Sequence, residues 1–134
     1  QLIIVLLMCW LSGCARLEYG NFTHAPMGAY ELMAKDAAAQ IGHVYPPAKN
    51  RFHLSQTIRD PFGMKLIELL RQKGFGVIEQ SATRSEANFF YVVDEPIPPH
   101  LYRVSIFVGS QSLSRAYGIH NAVLVPISPW SRKE

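Results

Sequence analysis

Cysteine is nearly absent from this chain: Cys9 and Cys14 are the only two in 134 residues. That leaves no basis for a multi-cysteine zinc site or a disulfide-stapled scaffold, which need their cysteines in sets. No apolar run approaches the roughly 20 residues of a membrane-spanning helix; the longest, Leu2–Leu11, has ten residues and neither a charge nor a helix breaker. Charge is sparse as well. Lys, Arg, Asp and Glu make up 17 % of the chain and the net charge is only +3. Such a mild, scattered excess lacks the clustered Lys/Arg with stacking aromatics of a nucleic-acid surface.

Catalytic patterns are missing too. There is no Gly-rich phosphate loop, and Gly109-Ser110-Gln111-Ser112 lacks the closing glycine of a Gly-x-Ser-x-Gly nucleophile elbow. Asp94 and Glu95 are adjacent in a strand-like stretch, so their carboxylates are expected on opposite faces. The five histidines (His24, His43, His53, His100 and His120) show no i,i+4 spacing with a glutamate on a predicted helix. The expectation is a protein that is not an enzyme, with no metal and no cofactor.

What is present begins at the amino terminus. Leu2–Leu11 has the length of a signal-peptide apolar core, and Leu11-Ser12-Gly13-Cys14 follows directly. Small side chains ahead of a cysteine resemble the lipobox of bacterial lipoproteins, in which the thiol is acylated before cleavage on its amino-terminal side. That resemblance makes residues 1–13 a signal peptide whose basic n-region is missing ahead of Gln1. It makes Cys14 the lipid attachment site, bearing a diacylglycerol thioether and an N-acyl chain. Cys9 would leave with the peptide, so no intramolecular disulfide is expected. The alternative is a short apolar anchor or buried strand that happens to end in cysteine. Two lipid signals already give stable membrane attachment. Ala15, in place of the aspartate that marks inner-membrane retention, points to the periplasmic leaflet of an outer membrane.

With 49 % apolar residues, the 121 residues from Cys14 onward suffice for one folded domain. Residues 14–27 show no sustained period and contain Gly20, Asn21 and Pro26; they read as a lipidated tether. Tyr19 and Phe22, its large apolar groups, are spaced either to insert into a neighbouring protein or to pack on this chain's own core. Residues 28–134 read as a single α+β domain. Tyr30, Met33, Ala34, Ala37 and Ile41 fall at helical spacing, with Glu31, Lys35 and Asp36 facing elsewhere, and Gly42 is the expected stop. A short strand is expected around Phe52 and Leu54. Asp60, Pro61 and Gly74 bracket a second helix with a cap, a first-turn proline and a left-handed close. Its apolar stripe is Phe62, Leu66, Leu69 and Leu70, with Met64 and Ile67 beside it.

Strand patterns follow at Phe75–Glu79, Asn88–Asp94, Tyr102–Val108, Gln111–Tyr117 and Ala122–Ile127, with Pro96, Pro98 and Pro99 as an elbow and Gly109-Ser110 as a tight turn. The sum is a small sandwich of two helices on a mostly antiparallel sheet. Its length and element order resemble the N0-type domains of secretins. A sheet edge open to an added strand and Trp130, a residue type enriched at interface hot spots, are the candidate partner-binding features; Trp130 folded back on the core is the alternative.

The lipobox, Tyr19-Gly20-Asn21-Phe22, the Ala-rich first helix and Ser114-Arg115-Ala116-Tyr117 together resemble TrbH, a lipoprotein family of conjugative type IV secretion systems. The resemblance implies a structural subunit of the outer-membrane core complex that helps hold the transfer channel in the outer membrane. Its implied partners are other core-complex subunits in a multi-copy ring and the membrane itself, with no direct contact to nucleic acid. Pilotin-like or chaperone lipoproteins, and lipoproteins acting alone in exclusion or cell-wall binding, are the alternatives.

Overall fold

Alanine decides how the helices sit. In a computed structural model that describes residues 18–99 and 101–134, helix α1 spans Met27–Val44 and buries Ala29, Tyr30, Met33, Ala34, Ala37, Ala38 and Ile41. These recur at three- and four-residue steps, one stripe of a 3.6-residue helix, and the four alanines let α1 approach its neighbours closely. Gly42 does not stop this helix, which runs on to Val44. The stop comes from Pro46, which forces the preceding Tyr45 into an extended conformation (φ −119°, ψ 123°). A short 3-10 turn, Pro47–Lys49, then leads to strand β2, Arg51–His53.

Helix α2, Pro61–Gln72, has the boundaries its sequence predicts. Asp60 Oδ1 accepts from the Gly63 N–H at 2.8 Å, and Pro61 occupies the first turn. At the other end Gly74 (φ +98°) closes a Schellman motif, with Phe75 N–H on the Leu70 carbonyl at 3.1 Å and Gly74 N–H on that of Arg71 at 3.0 Å. Phe62, Leu66, Ile67 and Leu70 are buried, whereas Met64 is 57 % exposed and lies outside the stripe.

The main sheet has the order β1-β4-β5-β6-β7, with β8 also paired to β6. Its strands are β1 (Gly20–Asn21), β4 (Phe89–Ile97), β5 (Leu101–Val108), β6 (Gln111–His120), β7 (Val123–Pro126) and β8 (Ser131–Lys133). All its pairings are antiparallel except β1 with β4. A second, parallel pair joins β2 to β3 (Gly76–Ile78). The Asn88 side chain links the two sheets: its Oδ1 accepts from His53 N–H at 2.7 Å and its Nδ2 donates to the Arg51 carbonyl at 2.9 Å. One amide thus stands in for a missing pair of ladder bonds along β2. Pro96 belongs to β4 and not to an elbow. It sits where two residues, Glu95 and Pro96, oppose the single Tyr102, a bulge that tolerates its missing N–H.

Period-two alternation separates the two faces of the sheet. Phe89, Tyr91 and Val93 of β4, Tyr102, Val104 and Ile106 of β5, and Leu113 and Tyr117 of β6 are buried beneath the helices. Phe52 packs between Phe75 and Phe89 (centroids 5.0 and 4.7 Å away), and Phe62 lies 5.3 Å from Tyr91. Phe90, Val92, Asp94, Arg103, Ser105 and Phe107 occupy the other, outer face.

Candidate functional site

Leu11, Ser12, Gly13 and Cys14 lie outside the described residues. The chain is described from Glu18, and from Tyr19 it is laid against the sheet. The Tyr19 ring stacks on Phe90 at 4.1 Å and meets Phe107 edge-on at 5.6 Å, while the Arg84 guanidinium lies 5.3 Å above it. Phe90 and Phe107 are direct cross-strand partners on the outer face, so the three rings form one patch. β1 then hydrogen-bonds along Val92 and Val93, and Phe22 N–H donates to the Val93 carbonyl at 2.8 Å. Asn21 turns the chain inward by accepting from Thr23 N–H at 3.0 Å. The buried Tyr30 hydroxyl accepts from Ala25 N–H at 2.9 Å and donates to the Thr23 carbonyl at 2.9 Å. From Tyr19 onward, the segment expected as a tether is therefore fastened to this chain's own domain. Tyr19 packs on its own sheet, while Phe22 stays 51 % exposed.

The carboxyl-terminal tail is held at the opposite edge. β7 and β8 follow one another along β6, and residues 127–130 between them bow out. Arg115 gathers this bow. Its Nε donates to the Ser128 carbonyl at 2.9 Å, its Nη1 lies 2.9 and 3.1 Å from the Asp36 carboxylate oxygens, and its guanidinium carbon is 5.8 Å from the Trp130 ring centroid. Ser128 Oγ accepts from Ala116 N–H at 2.9 Å, replacing a ladder bond. Tyr117 donates its hydroxyl proton to the same Asp36. Burial, reinforced by that hydrogen bond and by the Asp36 charge, holds the Tyr117 hydroxyl far above its ordinary pKa; Arg115 offsets part of the rise. Trp130 packs against the core. It does not share a patch with Tyr19 and Phe22, so the candidate partner-binding aromatics divide between two faces. The bow with its Pro129, and Pro126 at the end of β7, also break the regular edge to which an incoming strand would pair.

Two features escape a reading of the sequence alone. Asp36 flanks the alanine stripe on α1 and reads as outward-facing, yet it reaches over the edge of the helix to Arg115 and Tyr117. The aromatic patch is assembled from Tyr19, Phe90 and Phe107, distant in sequence; only the place of Phe107 in the alternating stretch Tyr102–Val108 hinted at a face. Between the first turns of α1 and α2 lies an open cleft of about 500 Å³, lined by Met27, Tyr30, Pro61 and Met64 with Lys65 and Glu31 at its rim. Among the described residues no three His, Cys, Asp or Glu side chains come together as metal ligands, and no helix is long and apolar enough to cross a membrane.

No curated protein and no solved structure matches the chain. The family model described as conjugal transfer protein TrbH matches residues 16–134, almost all that follows Cys14, and the chain belongs to this TrbH family of conjugal transfer proteins.

Proposed function

We propose that this conjugal transfer protein is a lipoprotein, acylated on Cys14 and held in the periplasmic leaflet of the outer membrane, where it acts as a structural subunit. In this reading it anchors the core complex of a conjugative type IV secretion system and repeats around the channel as a ring. It takes no part in a chemical step and carries no cofactor beyond its acyl chains. The observation that supports this most is the position of the lipobox. Leu11-Ser12-Gly13-Cys14 ends two residues before the family match begins at residue 16, so cleavage before Cys14 would leave the family domain whole with the lipid at its head. Ring assembly needs one heterologous contact repeated until it closes. The exposed Met64 on α2 and the exposed Ile127 beside the tail are separate surfaces of the kind such a contact joins.

Replacing Cys14 with serine in the complete reading frame tests the reading. The variant is expected to leave the outer-membrane fraction for the soluble periplasm, and conjugative transfer should fall with it. Unchanged fractionation with normal transfer would contradict the anchor. Counting copies in the purified complex then tests the structural role: a subunit is present in fixed ratio to the channel proteins, whereas a pilotin or chaperone is absent or substoichiometric.

A further inference from the structure

The geometry points to the outer face of the main sheet lying on the membrane surface itself, with Phe22 and Tyr19 among the lipid head groups and Arg84 on a lipid phosphate. This rests on the acylation of Cys14 proposed above. Reach limits which side of the domain a lipid on Cys14 can approach. Five residue steps separate Cys14 from Tyr19, at most about 18 Å of extended chain, and Tyr19 is stacked on the outer face. A lipid on Cys14 therefore draws this side of the domain, and not the helix layer, towards the bilayer.

Tyr19, Phe22 and Phe90 line a shallow cleft of about 230 Å³ with Arg84 and Gln56, a combination of amphipathic rings and a long cationic stem suited to the head-group zone. Glu18 is the carboxylate at the rim of this cleft. Among the described residues, no carboxylate lies within ion-pair distance of Arg84, whereas Arg103 on the same face is paired with Asp94. Arg84 thus keeps its charge available for an anionic head group, and the chain's net charge of +3 favours the same contact. Beyond the patch the face carries short polar side chains, with Ser105 and Ser114 joined by a 2.9 Å hydrogen bond between their hydroxyls.

The test uses the acylated protein in phosphatidylethanolamine–phosphatidylglycerol vesicles. Because the lipid consumes the Cys14 thiol, Phe22→Cys and, on the helix layer, Leu32→Cys each carry a single environment-sensitive fluorophore. Nitroxide placed near the head groups should quench the label at position 22 several-fold more than that at position 32, and Arg84→Glu should weaken the quenching at 22. Equal, weak quenching at both positions in protein that floats with the vesicles would overturn this inference and leave the anchor standing. Protein that does not float at all would overturn the anchor and this inference together. A label at 22 shielded by the assembled core complex but untouched by lipid quencher would overturn it in favour of a protein partner.

Discussion

Arg115 on β6 and Asp36 on α1, 79 residues apart in sequence, meet with Nη1 2.9 Å from Oδ2. The contact ties the carboxyl-terminal edge of the sheet to the first helix, because the same guanidinium holds the Ser128 carbonyl and lies over Trp130. Asp36→Ala leaves Arg115 and the Tyr117 hydroxyl without their acceptor. Stranding partly buried donors costs about 1–3 kcal/mol, and denaturant unfolding should register a loss of that size. Trp10 lies within the proposed signal peptide, so Trp130 is the sole tryptophan of the processed protein. Its emission should shift to longer wavelength in the variant as the tail loosens. Asp36→Asn, which keeps an acceptor oxygen, should lose less.

Tyr91 and Tyr117 share a device: each donates its hydroxyl proton to a helix-borne or helix-capping carboxylate, Asp60 or Asp36. Burial, then the hydrogen bond and the charge of that carboxylate, raise both hydroxyls well above the ordinary tyrosine value of about 10. A proton held more tightly in the folded state contributes stability that is fully present below the unfolded pKa. That contribution is lost as pH climbs above it, because only the unfolded chain can ionise. Stability should therefore be independent of these groups up to about pH 9 and fall steeply above pH 10. Tyrosinate absorbance should show two residues that titrate only as the protein unfolds. Phe replacing Tyr117 should reduce that alkaline slope.

Two helical glycines should respond to alanine with opposite signs. A Cβ on Gly63 would come within 2.1 Å of the Tyr91 hydroxyl oxygen and 2.3 Å of Ile58 Cγ2. Overpacking of that kind costs about 1–3 kcal/mol and outweighs any gain in helix propensity. At Gly42 the nearest group is the flexible Lys73 stem at 3.4 Å, so Gly42→Ala should stabilise by about 0.5–1 kcal/mol. Urea midpoints of the two variants should move in opposite directions.

The β6–β7 hairpin turns on Asn121 (φ 50°) and Ala122 (φ 62°), both in the left-handed region, as a two-residue type I′ turn requires. Alanine pays about 1 kcal/mol for that conformation and glycine does not. Ala122→Gly should raise the urea midpoint accordingly, with no change in the slope of the transition.

How far the sequence foretold this molecule depends on how local each signal is. Helix α2 was legible to the residue because Asp60, Pro61 and Gly74 each act within a few positions of themselves. Strand β5 was legible from alternation, which needs only the chain's own period, β4 from its aromatic and β-branched run, and β6 from the Gly109-Ser110 turn ahead of it. β1 was not: two residues, Gly20 and Asn21, carry no period, and only their pairing with Val92 and Val93 makes them a strand. β8 escaped for the same reason, and Ala122 read as strand although it is the turn. Of the candidate site residues, Tyr19 and Phe22 stood out as large apolar groups able either to enter a neighbouring protein or to pack on this chain; Tyr19 packs on its own sheet and Phe22 stays half exposed. Their neighbours Phe90, Phe107 and Arg84 come from elements that only tertiary folding brings together. Asn88 shows the same limit, since a side chain completing a distant strand's hydrogen bonds leaves no mark on its own neighbourhood.

Whether this conjugal transfer protein carries lipid is read directly by mass spectrometry of its amino-terminal peptide from conjugation-proficient donor cells. The predicted species begins at Cys14 and bears a thioether-linked diacylglycerol and an amide-linked acyl chain. A peptide that continues upstream through Gly13 and Ser12 with a free thiol at Cys14, from cells whose other lipoproteins are fully acylated, would contradict it.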